Sequence, residues 1–173
     1  MKIAVAGIGR MGSWLARSLE EDCELAVYDT DGTRLSAIHK AARLRNLKEL
    51  ADFAPRLFIN AVSLQATINV FREAEPFLSP DCLLCDLASI KGEIPAYYQD
   101  SGRRFVSIHP MFGPNFADMD SLKRENAVII SESNPEGAAF FNAFFQRFKI
   151  NIFSCSFAEH DRMMAYSLTM PFV

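Results

Sequence analysis

The sequence predicts an α/β fold, a doubly wound and mostly parallel sheet with helices on both faces, from three observations. Short apolar runs alternate with segments of helical periodicity along the whole chain. The first of these runs passes directly into G-x-G-x-x-G and then into a helix. The residues capable of chemistry fall at the carboxyl ends of the runs, where ligands gather in open α/β sheets.

A chain of 173 residues is long enough to bury a core without disulfides or metals, and one compact domain is expected. Its formal net charge of -3, with no long charge run, gives no support to nucleic-acid or polybasic membrane binding. The expected partners are small molecules or protein. No apolar run reaches the roughly 18 to 20 residues of a membrane span, and the chain enters as a strand rather than as a leader, so a cytoplasmic address is the default expectation. Cys23, Cys82, Cys85 and Cys155 read as small hydrophobes. Cys82 and Cys85 are spaced C-x-x-C, but on a strand, where positions three apart face opposite ways, so no metal site is expected.

Lys2–Ala6 is the first strand, Gly7-Ile8-Gly9-Arg10-Met11-Gly12 the loop, and the following helix carries Met11, Leu15, Ser18 and Leu19 on one face. Gly7 permits the tight turn, Gly9 lets a pyrophosphate approach the backbone, and Gly12 lets helix and strand pack closely. All six loop residues, Ile8, Arg10 and Met11 included, are therefore cofactor-binding candidates in a Rossmann-type unit, with first-turn N–H groups facing the phosphates. The second strand, Glu24 to Tyr28, ends at Asp29, 17 residues after Gly12. A carboxylate there accepts hydrogen bonds from a ribose and repels a 2′-phosphate, which favours NAD over NADP; the nearby Arg34 keeps NADP open.

Thr33 to Ala42 is expected to be a short helix with His39 solvated or packed, Ala42 to Leu44 an edge strand, and Leu47 to Phe53 a helix. Arg56 to Val62 reads as a buried strand across the switch point of the sheet, which makes Ser63 a cofactor candidate at its exit. After a helix over 66–77, Leu83 to Leu87 forms a strand whose exit carries Ser89 and Lys91, expected to point into the same crevice as Ser63 and the glycine loop. Arg104 to Ile108 is the strand that delivers His109 to that edge, followed by a loop punctuated by proline and glycine. An imidazole with an ordinary pKa of roughly 6.5 suits acid/base work near neutral pH. Ala127 to Ile130 is a strand, Asn134 to Phe148 a helix with a core-facing phenylalanine set, and Ile150 to Phe153 a last strand. Ser156-Phe157-Ala158-Glu159 is a capping box that opens a helix carrying His160 and Asp161. That helix has no stop signal, so the chain is expected to continue or to pack on another subunit.

GIGRMG with Asp29 downstream, DLASIKGEIP at 86–95, SIHPMFGP at 107–114 and EHDRMMAY at 159–166 together resemble the prephenate/arogenate (cyclohexadienyl) dehydrogenase family, over nearly all of the chain. The resemblance implies NAD-dependent oxidative decarboxylation of prephenate to 4-hydroxyphenylpyruvate in tyrosine biosynthesis. It implies His109 as the base that takes the substrate's hydroxyl proton and Ser89 as the residue that orients it. Lys91 and Asn115 are carried as substrate-binding candidates. His160 and Asp161 match a family motif, with a structural role as open as a catalytic one.

The resemblance further implies a dinucleotide-binding domain over 1–155 and, over 156–173, the start of a helix leading into a helical dimerisation and substrate domain. A homodimer is expected for the full-length protein. Relatives often carry further histidines after the His-Asp pair, and Ser167 to Val173 contains none. The alternatives are an arogenate-using cyclohexadienyl dehydrogenase, or a non-catalytic NAD-binding or sensing module within a fusion protein.

Overall fold

A computed structural model describes residues 1–113 and 122–169. The chain divides into two compact units, Met1–Asp86 and Leu87–Val173. The division follows a strand exit, with no change of composition to mark it. Among the described residues there are eight strands and six α-helices, and no helix is long and apolar enough to cross a membrane.

In the first unit, β1 (Lys2–Ala6) pairs on one side with β2 (Glu24–Tyr28), which pairs with β3 (Ala42–Arg43). On its other side β1 pairs with β4 (Leu57–Asn60), which pairs with β5 (Leu83–Asp86). Every pair is parallel. The strand order β3-β2-β1-β4-β5 reverses direction at β1, so the β1 and β4 exits form the switch point. Residues such as Ile3, Val5, Val27 and Ile59 are fully buried, as expected of parallel strands covered on both faces. Phe58 of β4 meets Phe71 of α3 (Thr67–Ala74) edge-on at 6.2 Å between ring centroids.

Two expectations change here. Helix α1 (Arg10–Leu19) buries Gly12, Trp14, Leu15, Ala16 and Leu19, while Met11 and Ser18 stay only half-buried. The inward stripe is 12–15/16–19 because Gly12 is pressed against the Gly7 backbone, and that close approach sets the rotation of the helix. The stretch expected as a helix over 33–42 is a single 3-10 turn, Arg34–Ala37. The Asp31 carboxylate takes both the N–H and the hydroxyl of Thr33, and the Ser36 hydroxyl donates to the Thr33 carbonyl. These local bonds compete with a continuing helix. His39 is exposed. Further along, α2 (Leu50–Phe53) continues a short 3-10 turn, and Cys82 and Cys85 are both buried free thiols.

In the second unit, α4 (Ile94–Ser101) has no counterpart among the sequence-based expectations; Gly102, at φ +61°, closes it. β6 (Phe105–Pro110) pairs antiparallel with β7 (Asn126–Ile130), and β7 pairs parallel with β8 (Asn151–Cys155). The strand therefore runs two residues past Ile108. His109 lies opposite Val128 and Pro110 opposite Ala127, so His109 is a strand residue rather than the first residue of a loop. The ladder closes beyond the proline with Met111 N–H donating to the Asn126 carbonyl at 2.8 Å. Between β7 and β8, α5 (Pro135–Arg147) starts at Asn134, whose side chain accepts the Glu136 N–H, and it buries Phe141, Phe144 and Phe145. α6 (Phe157–Thr169) opens with the expected reciprocal capping box: Ser156 N–H donates to the Glu159 carboxylate at 2.8 Å and Glu159 N–H to Ser156 Oγ at 3.2 Å.

Candidate functional site

The first unit builds a glycine cradle. Gly7 has φ +88°, and a Cβ there would lie 2.7 Å from the Ala61 carbonyl carbon and the Val62 nitrogen. Only glycine allows β1 and β4 to end this close together. A Cβ on Gly12 would lie 1.8 Å from the Gly7 carbonyl oxygen, so this residue sets the approach of α1 to the loop. Gly9 differs, because no atom lies within 4 Å of where its Cβ would stand. Protein packing leaves that space open, directly before the first turn of α1, where N–H groups lack intrahelical partners.

Asp29 follows β2 and reaches across to this loop. Its carboxylate accepts the Ile8 N–H at 2.7 Å and the Asp31 N–H at 2.8 Å, and its side chain is 6 % exposed. Arg34 Nη1 stands 3.7 Å from it and is also paired with Asp31. Gly7, Gly9, Asp29, Arg34 and Ser63 line one cavity of about 320 Å³, with Tyr28, Val62, Ala66 and Val70 supplying much of the apolar wall. Of the other loop candidates, Ile8 buries its side chain and gives its N–H to Asp29. Arg10 is exposed and Met11 half-buried on α1; like Gly12, neither is among the cavity's lining residues. An open space at Gly9, a helix N-terminus and a carboxylate with spare lone pairs fit a nucleotide, the phosphates at the glycines and the ribose at Asp29.

The second unit holds a buried polar cluster around His109. His109 Nδ1 is 2.9 Å from His160 Nε2, and the two rings meet edge-on. His109 is 8 % exposed and His160 fully buried. His160 Nδ1 is 3.2 Å from Asp161 Oδ1. The Asp161 carboxylate also accepts the N–H groups of Lys91 at 2.8 Å and Gly92 at 2.9 Å. Burial pushes the Asp161 carboxyl up, but the Lys91 and Gly92 N–H bonds and the neighbouring His160 outweigh it, and the net direction is below the ordinary value.

Asp161 therefore stabilises the folded state above the ordinary aspartate pKa of roughly 3.9, and that contribution fades as pH falls through its lowered folded value. Chemical denaturation of the wild type and D161N should show a stability gap at pH 7 that closes in acid. A gap that does not change with pH is the contrary result.

Lys91, expected from the sequence to point into the same crevice as Ser63 and the glycine loop, is buried to 1 % exposure, with Nζ donating to the Ile108 carbonyl at 2.8 Å. The lysine is turned inward because an acceptor beside His109 is available there to its ammonium group. Ser89 is exposed on the loop that follows β5, while the His109 ring is hydrogen-bonded to His160. Asn115 lies outside the described residues. His160 is the residue of this cluster that the sequence leaves open between a structural and a catalytic role. Its signal was the His-Asp pair in the first turn of a capped helix, but its partner lies 51 residues away.

A family model described as "Prephenate dehydrogenase, nucleotide-binding domain" matches residues 15–148. The match includes Asp29, Ser63, Ser89 and His109; the glycine loop and the His160–Asp161 pair lie outside it. A protein of Methanocaldococcus jannaschii named probable arogenate/prephenate dehydrogenase is 26 % identical over 170 residues, which cover 92 % of this chain and 37 % of that protein. The T-protein of Haemophilus influenzae is 25 % identical over 95 % of this chain and 40 % of its own length. The chain thus spans about two fifths of the length of these relatives. Among solved structures, Synechocystis arogenate dehydrogenase superposes with a TM-score of 0.84 at 21 % identity, covering 99 % of this chain and 65 % of the other. Prephenate dehydrogenase from Aquifex aeolicus, in complex with hydroxyphenyl propionate and NAD⁺, gives 0.79 at 18 % identity over 99 % and 68 %. At these identities the likeness is one of Rossmann-type fold.

Proposed function

This chain belongs to the prephenate dehydrogenase nucleotide-binding domain family, and from that premise we propose that it is the cofactor-binding part of an NAD-dependent prephenate dehydrogenase. The reaction is oxidative decarboxylation to 4-hydroxyphenylpyruvate. The single observation that carries this reading is His109, a buried, hydrogen-bonded imidazole within SIHPMFGP. A module that only bound a nucleotide would have no use for such a base.

NAD⁺, when bound, supplies the hydride acceptor. The open space at Gly9 and the α1 N-terminus would hold the pyrophosphate, Asp29 would accept from the ribose hydroxyls, and Ser63 contributes to the cavity wall. As hydride leaves the hydroxyl-bearing ring carbon, His109 takes the hydroxyl proton. The ring carboxylate departs as CO₂, its bonding electrons complete the aromatic ring, and the proton held by His109 returns to the ring oxygen to give the phenol. Ser89, exposed on its loop, donates or accepts a hydrogen bond at the substrate hydroxyl. Lys91, buried with its Nζ on the Ile108 carbonyl, and Asn115 are kept as substrate-binding candidates.

The greater length of the relatives supports further sequence beyond α6, and we take it to be a helical dimerisation and substrate domain in a cytoplasmic homodimer. Arogenate is the second reading, taken from the Methanocaldococcus relative, whose name carries both substrates. In the full natural reading frame, prephenate with NAD⁺ should yield NADH and CO₂ in equal amounts. NADP⁺ should bind about tenfold or more weakly, roughly 1.4 kcal/mol, because Asp29 opposes a 2′-phosphate, and D29A should narrow that difference. Oxidation of arogenate alone selects the second reading, and oxidation of neither substrate overturns both.

A further inference from the structure

We propose that Asp161 is a positioning residue with two arms: through His160 it decides which nitrogen of His109 carries the proton, and through Lys91 and Gly92 it anchors the Ser89 loop to the same point. This inference rests on His109 being the base.

The first arm follows from what each group can donate. An ionised carboxylate only accepts, so the His160 nitrogen beside it, Nδ1 at 3.2 Å, carries the proton. A neutral imidazole protonated at Nδ1 has its lone pair at Nε2. That lone pair lies 2.9 Å from Nδ1 of His109, which must then be the donor. His109 is left with its lone pair on Nε2, the form a general base requires. If the order were reversed, His109 would carry its proton on Nε2 and could not accept one there.

The second arm runs through backbone. Lys91 and Gly92 give their N–H groups to the two oxygens of Asp161, at 2.8 and 2.9 Å. Lys91 then returns to β6 with its ammonium on the Ile108 carbonyl, the residue before His109. Ser89 is two residues upstream of this anchor. A buried lysine and a buried histidine are expensive to place unless paired, and here both are used to hold a base and a hydroxyl-bearing loop in one frame. The relay itself is held by the α6 capping box, since His160 N–H donates to the Ser156 carbonyl at 2.9 Å.

The test reads the tautomer directly. In the 173-residue chain labelled with ¹⁵N-histidine and held at about pH 9, well above the ordinary imidazole pKa, ring ¹⁵N shifts should show His109 protonated at Nδ1. D161N, whose amide can donate to His160 Nδ1, should move His109 partly or wholly to the Nε2–H form while circular dichroism stays unchanged. Should D161N fail to fold, H160Q and H160F make the comparison. The glutamine keeps a side-chain acceptor and should retain the Nδ1–H form, whereas the phenylalanine should lose it. In the full reading frame D161N should lower kcat by about 10²-fold, with KM for NAD⁺ unchanged, as a misplaced or wrongly protonated base does. A wild-type His109 protonated at Nε2, or a tautomer unmoved by these variants, overturns the inference whatever the substrate assay gives. Because the spectrum is taken without substrate, failure of the prephenate reading is seen separately, as absent turnover with an intact tautomer.

Discussion

In the full reading frame, His109→Asn should lower prephenate turnover by about 10²- to 10⁴-fold, the usual worth of a general base, while NAD⁺ affinity is retained. Asparagine is the informative replacement because its amide nitrogen can still donate to His160 Nε2, which now faces His109 Nδ1 at 2.9 Å. Alanine would instead leave a fully buried histidine without that bond, and the added cost would mix a stability loss into the kinetics. With asparagine, the basic nitrogen is removed and the packing is nearly kept. The nucleotide cavity is lined by residues of the first unit only, so titration with NAD⁺ serves as the control. Unchanged turnover in this variant would falsify the assignment of His109 as the base.

The second large effect separates glycines that serve the fold from the one that serves the ligand. Gly12→Ala places a methyl group 1.8 Å from the Gly7 carbonyl oxygen, a backbone atom that cannot swing aside. Relief requires α1 to move off the loop, at a cost of about 3 kcal/mol, or a fall of about 6 to 12 °C in Tm for a chain of this size. Gly9→Ala meets nothing within 4 Å, and its φ of -70° suits any residue. Its stability should stay within about 1 kcal/mol of wild type. Nucleotide affinity should nevertheless fall about tenfold or more, because the methyl group enters the space left for the pyrophosphate and disrupts at least one charge-assisted hydrogen bond. Thermal unfolding and NAD⁺ titration of the two variants check the contrast. If Gly9→Ala unfolds as early as Gly12→Ala, or binds NAD⁺ as the wild type does, the cradle is misread.

The parts of this site that could be read in the sequence are those made by neighbours along the chain. A strand, three spaced glycines and a helix fall within residues 2–19, and the backbone geometry of that unit leaves few alternatives. The carboxylate of Asp29 was legible for the same reason, since the next parallel strand must end beside the first; its bond to the Ile8 N–H was not. The Ser156–Glu159 capping box is also local, and it formed as expected. Where local side chains competed with the backbone, as at Asp31, Thr33 and Ser36, periodicity overstated the helix.

The sequence by itself determined the fold class, the glycine cradle and the identity of the candidate base. Only the tertiary structure decided what holds that base. β6 runs on to Pro110 because β7 is there to pair with it. His160 meets His109 across 51 residues, and Asp161 meets Lys91 across 70. Hydrophobic periodicity encodes which face of an element is buried, not which element buries it. A buried lysine, two histidines and an aspartate therefore read as scattered polar residues until packing brings them into one hydrogen-bonded chain.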